Sequence, residues 1–568
     1  MSDEEKAPIS TTDKDEAELA KMGYKQELKR ELGLMQNFGV SFSIISVITG
    51  IPSLFLYGLN TGGPAVMVYG WIIVSFFTLL VGMAMAGAII SSFDQCPVFD
   101  VLLIRGLQVS VSIPLVSHPS LIPFSAHPTS GGPYFWAAML SKPKDAPLAS
   151  WITGWFNLLG QVAVTTGISF ACASFISTLS TFKTGFLPTA NTQIGVYAAV
   201  LFTQGLINTF GVRVLHYLNN VSVWWHAIGT FSLVVAILAK APTHQSGHFV
   251  FQTFIDGTGG WAERASPAYV AVTGILMAQY TLTGFDASAH MTEETTNAAM
   301  SGSIGIIMAI GVSALLGMYL LLGLLFSIQD LDNTINSTTG QPVAQIFLDC
   351  VGEDGAIVLM VLFSDSDKRS SLMVYHLQII VIGAMYFCGT FSVTSNSRMM
   401  YAFARDGGLP GSRFFAYVNT RWKSPIRTVW LACTLSFILG LPSLGSAVAF
   451  SAATTSLNNS TAIPIALRVI YHADFVRGPF HLGIFSFPIA ITAVTWIAFI
   501  AIVFILPQEN PVDSQTLNYA IVAVGIVITY SFGYWLISAR KWFVGPVKQK
   551  AVEEMGINVT EPGLAEKN

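Results

Sequence analysis

The amino-acid sequence predicts an all-α membrane protein with about twelve transmembrane helices. The chain of 568 residues is 52% hydrophobic and only 11% charged, whereas a soluble domain carries about 25% charged residues. Apolar stretches of about 20 residues, the length that crosses a bilayer, recur along the chain. The stretch from Gly302 to Ile328 contains no charged residue. A transmembrane domain is therefore expected over residues 37–542, between polar tails of residues 1–36 and 543–568.

The charges that flank the apolar stretches indicate an orientation. Lys and Arg are concentrated in the loop 398–427 and in the C-terminal tail, whereas the loop 329–355 has acidic residues and no basic ones. By the positive-inside rule, both tails are expected in the cytosol. No basic segment followed by a short apolar core begins the chain, so no cleavable signal peptide is expected. The expected spans lie near residues 38–58, 64–86, 150–180, 194–210, 217–239, 268–291, 302–328, 356–394, 428–441, 445–470, 485–506 and 518–540.

Two of the expected spans contain features that interrupt a helix. In the first, Gly50 weakens the helix and Pro52 removes a hydrogen bond. In the sixth, the stretch from Thr281 to Asp286 brings Gly284 and an acid into an apolar run. Interruptions at corresponding points of two halves indicate an inverted-repeat transporter with a solute site near the bilayer midplane. A packing kink is the alternative, because Gly and Pro are common in membrane helices.

Five stretches, in consistent order along the chain, resemble a known family. They are "GYKQELKRELG" (23–33), "SIISVITGIPSLF" (43–55), "HPTSGGPYFWAAML" (127–140), "TGFDASAHMTEET" (283–295) and "SNSRMMYAFARDGGLPG" (395–411). In these stretches the sequence is similar to the amino acid–polyamine–organocation superfamily and, within it, to the fungal amino acid/choline permeases, whose members include GABA permeases.

The resemblance implies a five-plus-five inverted repeat with broken first and sixth helices, plus two extra helices. A solute would lie between the two breaks, where freed N–H groups at a helix N-terminus attract a carboxylate and freed carbonyls attract an ammonium. Tyr280 matches the aromatic residue that gates the site in relatives; a packing or bilayer-facing tyrosine is the alternative. Carried over by motif, the expected solute contacts are Thr49, Gly50, Ile51 and Pro52 in the first helix and Tyr280, Thr281, Leu282 and Gly284 in the sixth.

His226 is the expected carrier of a coupling proton. Proton-coupled relatives have a lysine six residues after the second asparagine of a similar Asn-Asn pair, and here that position, counted from Asn220, is His226. An imidazole titrates near physiological pH, so it could gain a proton from an acidic exterior and lose it to the cytosol. The alternative is a histidine that only packs and hydrogen-bonds within the bundle.

Three acidic residues follow the sixth-helix interruption. Asp286, one turn beyond it, is a candidate for ion coupling or for a structural tie to a neighbouring helix. Glu293 and Glu294 come at the expected cytosolic end. They are expected to form either a solvated face or an inner gate that pairs with an arginine of the loop 398–427.

Three segments depart from the family pattern. Residues 87–126 carry prolines and charges without a helical period, and residues 364–378 place charges inside the eighth span, which is expected to restart near Leu372. The tenth span is unusually polar over residues 450–463. These segments are either translated introns and gene-model errors or genuine elaborations of the fold.

The sequence thus predicts a secondary active transporter that imports an amino acid or related amine, such as GABA, with protons across the plasma membrane or the vacuolar membrane. The alternatives are a choline or other amine permease, a sensor that binds without transporting, and the inactive product of a faulty gene model. Catalytic motifs are lacking, so no enzyme is expected, and a continuous channel is disfavoured. Five scattered cysteines support no metal site and no disulfide framework. No cofactor and no nucleic acid partner is expected.

Overall fold

The computed structural model describes residues 11–22, 24–86, 129–184, 187–337, 340–351, 369–444, 461–471, 485–514, 516–518 and 520–546. All the regular elements of these residues are helices. The α-helices, numbered α1 to α22 in chain order, are Thr11–Lys21, Leu34–Ile45, Val47–Asn60, Gly63–Ala86, Pro133–Leu140, Ala146–Thr184, Ala190–Thr209, Val212–Lys240, Gly247–Gln252, Trp261–Arg264, Pro267–Gly274, Leu276–Thr281, Ala287–His290, Ala298–Phe326, Leu331–Ile335, Pro342–Val351, Arg369–Arg405, Ser412–Phe415, Ile426–Gly440, Ala462–Ile470, Ser486–Val503 and Ala520–Ile537. Three-residue or four-residue 3₁₀ turns lie at Thr292–Glu294, Leu441–Leu444 and Ala539–Lys541.

The expected multi-span, all-helical architecture is confirmed. Within the described residues, seven helical segments are long and apolar enough to cross a membrane: Leu34–Asn60, Gly63–Ala86, Ala146–Thr178, Val212–Lys240, Ala298–Phe326, Ile426–Leu444 and Ser486–Val503. The other expected spans overlap α7, α17, α20 and α22, and the series α11 to α13 in the sixth. The eighth and tenth expected spans overlap their helices only in part, because residues 356–368 and 445–460 lie outside the described residues. The chain is an integral multi-pass membrane protein.

Helix α8 shows how the bundle distributes polarity. Tyr217 and Trp224 on its outer face are 70% and 66% exposed, whereas Ser222 and His226 on its inner face are buried. Apolar side chains can face lipid without cost, so polar side chains are placed where other helices can hydrogen-bond them. On this helix the polar side chains therefore face the other helices, and large aromatic side chains face outwards.

Two expected boundaries differ from the structure. The loop expected to begin at Arg398 begins only after Arg405, because α17 continues to that residue. Arg398 is fully buried and paired with an acid of another helix, so its charge does not require water. Helix α17 begins at Arg369, three residues before the expected restart at Leu372.

The departures from the family pattern fall mostly outside the described residues. This applies to the whole segment 87–126, to residues 364–368 and to residues 450–460.

Candidate solute site

The first broken helix is interrupted at Ser46, which separates α2 from α3. Ser46 has a positive φ of 26° and its N–H still bonds to the carbonyl of Phe42, 3.1 Å away. Val47 and Ile48 begin α3, and their N–H groups have no partner within that helix. A new helix N-terminus therefore lies in the middle of the bundle.

The sequence places this interruption a turn too late. Gly50 and Pro52 both lie inside α3, which continues through them to Asn60. Pro52 cannot donate to the carbonyl of Ile48, but the missing bond falls in the first turns of the helix, where disruption is least costly. The hydroxyl of Ser53 also donates to the Thr49 carbonyl, 2.6 Å away, and so satisfies a carbonyl of this turn.

The sixth helix is interrupted where the sequence predicts. Helix α12 ends at Thr281, and Gly284 has a φ of +96°, a backbone conformation that favours glycine. The last backbone bonds of α12 join Leu282 to Ala278 and Thr283 to Tyr280. The carbonyls of Thr281 and Leu282 lie beyond these bonds, at the negative end of the helix dipole.

The two interruptions pack directly against each other. A Cβ added to Gly284 would lie 2.4 Å from Cγ2 of Ile44, next to the first break. A Cβ added to Gly50 would lie 2.6 Å from the side chain of Thr281, next to the second. Both distances are shorter than any real carbon contact, so the approach of the two helices requires glycine at both positions.

A cavity of about 390 Å³ lies beside this crossing. Three of the expected contacts, Thr49, Gly50 and Tyr280, line it. Ile51, Pro52, Thr281 and Leu282 are buried next to these residues and do not line it, whereas Gly284 lines a second, smaller cavity on the other side of the break. Of the described residues that line the larger cavity, none is charged.

The sequence reasoning missed most of the cavity wall. One wall belongs to α6, where Gly167, Ala171 and Ser174 follow each other at helical spacing. This row of small residues is a signal that could have identified a face left open beside a cavity. The other missed lining residues are Ser53, Leu54, Tyr57, Ile168, Phe170, Phe175, Leu276, Gln341, Phe504 and Gln508.

Tyr280 lies between the first and third transmembrane segments. A Cβ added to Gly167 would lie 2.6 Å from the Tyr280 hydroxyl oxygen, so the phenol rests directly on the α6 backbone. The structure therefore places this residue at the cavity and not against lipid.

His226 touches the first break. Its Nδ1 lies 2.8 Å from the Ser222 carbonyl oxygen, and its Nε2 lies 2.9 Å from Oγ of Ser46. Oγ of Ser46 is in turn 2.6 Å from Oγ1 of Thr49, which lines the cavity. A continuous series of hydrogen bonds thus joins the imidazole to the cavity wall.

Asp286 is tied to neighbouring elements on the far side of the sixth-helix break. Its Oδ2 accepts a hydrogen bond from Nε2 of Gln161 on α6, 3.2 Å away. The same oxygen lies 3.7 Å from Nε2 of His290. These contacts agree with the structural tie that the sequence allowed.

Glu293 and Glu294 are buried and do not form a solvated face. Glu294 accepts a hydrogen bond from Nε of Arg398 at 3.0 Å, and both side chains are fully buried. Glu293 binds Arg405 through two hydrogen bonds of 2.9 and 3.0 Å, the bidentate geometry of a strong pair. The pairing with arginine that the sequence offered as the second possibility is confirmed, although both arginines belong to α17 and not to a loop.

The N-terminal segment covers these ion pairs. The Tyr24 hydroxyl donates to both oxygens of Asp406, at 3.0 and 3.1 Å, and the Tyr134 hydroxyl donates to one of them at 2.9 Å. The guanidinium carbon of Arg405 lies 4.0 Å from the centre of the Tyr24 ring.

Arg30 of the same N-terminal segment donates to the carbonyls of Thr292 and Thr295, 2.9 and 2.5 Å away. We refer to this end of the bundle, where residues 24–33 pack, as the tail-side end.

Replacing Gly284 by Ala tests the close approach of the broken helices. We expect Gly284→Ala to lower the free energy of unfolding by about 2 kcal/mol or more, since it adds left-handed strain and a clash with Ile44. The measurement is thermal unfolding of the purified protein in detergent. Gly311→Ala is the matched control, because nothing lies within 4 Å of its added Cβ. Equal stability of the two variants would contradict the expectation.

The buried pair of Glu294 and Arg398 should be costly to break from one side. Glu294→Gln would leave a buried guanidinium without a counter-charge and should lower the free energy of unfolding by about 3–5 kcal/mol. Lys29→Gln, at the exposed Lys29–Glu31 pair, should cost less than about 1 kcal/mol. Unfolding curves of both variants provide the comparison. An effect of Glu294→Gln as small as that of Lys29→Gln would contradict the expectation.

The free energy of unfolding should depend on pH through the carboxyl group of Asp406. Burial raises the pKa of its carboxyl from 3.8 to about 6, against the opposing effects of Arg405 and the two tyrosine hydroxyls. A raised pKa means that the folded state holds the proton more tightly than the unfolded state does. The resulting contribution to the free energy of unfolding is complete below about pH 4 and is lost as pH rises through 6.

Asp406→Asn, which is neutral at every pH, isolates this effect. Relative to that variant, we expect the wild-type unfolding midpoint to be higher at pH 5 than at pH 7.5. The exposed control Asp332→Asn should show no such change. A difference between wild type and Asp406→Asn that does not vary with pH would refute the expectation.

Comparison with known proteins agrees with the broken-helix architecture. The amino acid permease family model matches residues 109–528. The chain is 38% identical over 553 residues to amino-acid permease BAT1 of Arabidopsis thaliana, covering 95% of this chain and 97% of that one. It is 41% identical over 545 residues to the BAT1 homolog of Oryza sativa subsp. japonica, covering 94% and 95%. It is 27% identical over 545 residues to amino-acid permease 2 of Neurospora crassa, covering 95% and 90%. The chain therefore belongs to the amino acid permease family, whose members transport amino acids and are not enzymes.

Proposed function

We propose that this permease is a proton-coupled importer of a zwitterionic amino acid or a related amine such as GABA. The observation that carries the proposal is the uncharged cavity of about 390 Å³ at the crossing of two interrupted helices. A zwitterion has no net charge, so its binding does not require an ionised side chain to neutralise it. The partial charges of helix ends and hydroxyl groups can bind its carboxylate and its ammonium group. The resemblance to fungal GABA and choline permeases supports this choice of solutes.

The solute's two charged groups would be held by the two breaks. The carboxylate would approach the N-terminus of α3, where Val47 and Ile48 begin the helix near Thr49 and Gly50. The ammonium would approach the carbonyl end of α12, where Thr281 and Leu282 lie beyond the last hydrogen bonds. Tyr280 would close over the solute from the α12 side, since it lines the cavity and rests on Gly167.

The coupling proton would act through His226. The Ser222 carbonyl can only accept, so Nδ1 of His226 carries a hydrogen and, in the neutral ring, Nε2 accepts from the Ser46 hydroxyl. A second proton would make Nε2 a donor and would turn the Ser46 hydroxyl towards Thr49. Protonation would thus reverse the hydrogen bonds at the cavity wall, which is a local way to change solute affinity.

The proposed orientation places the tail-side end in the cytosol, with tails of residues 1–36 and 543–568, and the protein in the plasma membrane. At this end the Glu293–Arg405 and Glu294–Arg398 pairs and the N-terminal segment close the bundle. The cavity extends towards the opposite end, where Gln341, Phe504 and Gln508 line it. The arrangement suits a state that receives solute from outside and has yet to open inwards.

Uptake in yeast that lacks its own permeases tests the proposal. Labelled GABA, a neutral amino acid, a basic amino acid and choline would each be supplied at pH 5 and pH 7.5. We expect saturable uptake of GABA or the neutral amino acid that is several-fold faster at pH 5. Uptake of choline alone would favour an amine permease, and solute binding without uptake would favour a sensor.

A histidine substitution tests the coupling step. We expect His226→Gln to remove most of the difference in uptake between pH 5 and pH 7.5, because glutamine cannot take up the proton. The control is His248→Ala, an exposed histidine outside the bundle interior. If uptake by His226→Gln retains the wild-type pH dependence, His226 does not carry the proton.

A further inference from the structure

A second cavity of about 50 Å³ lies behind the sixth-helix break. Most of its walls come from α4, α6, α12, α21 and the non-helical residues between α12 and α13, with Thr461 at one side. The polar residues in these walls include Thr78, Asn157, Gln161, Gln279 and Asp286. Residues 157–164 of α6 line this cavity and residues 167–175 line the larger one, so the two lie on opposite sides of the helix crossing that Ile44 and Gly284 form.

The Asp286 carboxyl group faces this cavity. Its side chain is 14% exposed in a region where the neighbouring residues are buried. Oδ2 has Gln161 as its hydrogen-bond donor, and no described residue donates a hydrogen bond to Oδ1. Among the described residues that line the cavity there is no lysine or arginine. A carboxylate inside a membrane bundle is costly without a positive partner.

His290 does not hydrogen-bond the Asp286 carboxyl group in this arrangement. Its Nδ1 lies 2.9 Å from the Ser130 carbonyl oxygen, and its Nε2 lies 3.4 Å from Nδ2 of Asn157. The 3.7 Å between Nε2 and Oδ2 of Asp286 is longer than a hydrogen bond. Among the described residues, Gln161 is therefore the side chain that donates to this carboxyl group.

A second polar group in the cavity wall also lacks a partner. Thr78 is 1% exposed, and no described residue forms a hydrogen bond with its Oγ1. A threonine in a helix commonly donates to a carbonyl of its own preceding turn, as Thr165 does to Gln161. Thr78 instead leaves a hydroxyl oxygen available beside the cavity, where Asn157 also presents its amide.

We propose that this cavity binds a small monovalent cation, with the Asp286 carboxylate as the charged ligand and the oxygens of Thr78 and Asn157 as neutral ligands. A water needs about 10–15 Å³ of such space, so the cavity has room for an ion with one or two waters. It does not have room for an entire amino acid. Hard oxygen ligands and a single negative charge suit an alkali ion or a primary ammonium group.

The site is distinct from the proposed solute and proton sites. It lies on the other side of the break from Thr49 and Tyr280, and its charged ligand is not part of the series that joins His226 to the larger cavity. A cation bound here would hold Gly284 and Asp286 against α6 and would stabilise one conformation of the break.

Thermal unfolding of the full-length protein in detergent tests the proposal without requiring transport. The midpoint would be measured in NaCl, KCl and methylammonium chloride against N-methylglucamine chloride, a cation too large for the cavity, at equal ionic strength. Ligand that binds only the folded state raises the midpoint in a concentration-dependent way. We expect at least one of the three small cations to raise it by several degrees with saturation.

The three salts distinguish the source of the cation. A response to sodium or potassium identifies an alkali-ion site, and a response to methylammonium alone identifies a site for a primary ammonium group. Midpoints that are identical in all four salts would overturn the proposal.

Variants assign the response to the site. Asp286→Asn should abolish the cation-dependent rise, and Thr78→Val should raise the half-saturating concentration about tenfold while keeping the threonine shape. Asp332→Asn, an exposed acid, should behave as wild type. If Asp286→Asn does not fold, Thr78→Val decides: an unchanged half-saturating concentration would place the bound cation elsewhere and reject this site.

Discussion

The structure depends on the contact between two interrupted helices inside a membrane. A backbone that leaves the helical path within hydrocarbon exposes N–H and C=O groups that lipid cannot hydrogen-bond, so a break survives only where protein encloses it. Here each break encloses the other, with Gly50 against Thr281 and Gly284 against Ile44. The two cavities flank this crossing because the space beside a close glycine contact cannot be filled by side chains of the same helices.

Neutral polar contacts join the helices near the first break. Oγ of Ser41 lies 2.7 Å from Oγ of Ser288, and Oγ of Ser43 lies 2.7 Å from Oγ of Ser222. Such hydroxyl pairs connect the helices near the first break without placing a charge in the bundle. Neutral contacts of this kind are individually modest, so helices joined by them can separate and rejoin. That property suits a protein whose function requires the crossing to change shape.

The carboxylate–arginine pairs that the described residues form inside the bundle lie at the tail-side end. Glu294 and Arg398 make one hydrogen bond where a carboxylate and a guanidinium could make two, and Oε2 of Glu294 and Nη2 of Arg398 have no partner among the described residues. A buried ion pair with unsatisfied hydrogen-bonding groups has fewer hydrogen bonds to lose, so opening it costs less free energy. The Glu293–Arg405 pair is bidentate and is further covered by Tyr24. The N-terminal segment thus contributes to the closure at this end.

Hydropathy by itself determined the spans, because the length and apolarity of a membrane helix are imposed by the bilayer and are written locally in the chain. The break at Gly284 could also be read from the sequence, since a positive φ at that position favours glycine. The break at Ser46 could not, because Ser46 is an ordinary residue whose position is fixed by bonds to Thr49 and His226. Only the tertiary structure brought α6 to the cavity and buried Arg398 beside Glu294, because these contacts join residues more than 100 positions apart. Charge in a sequence predicts a solvated loop; a partner from a distant helix decides whether that charge can be buried.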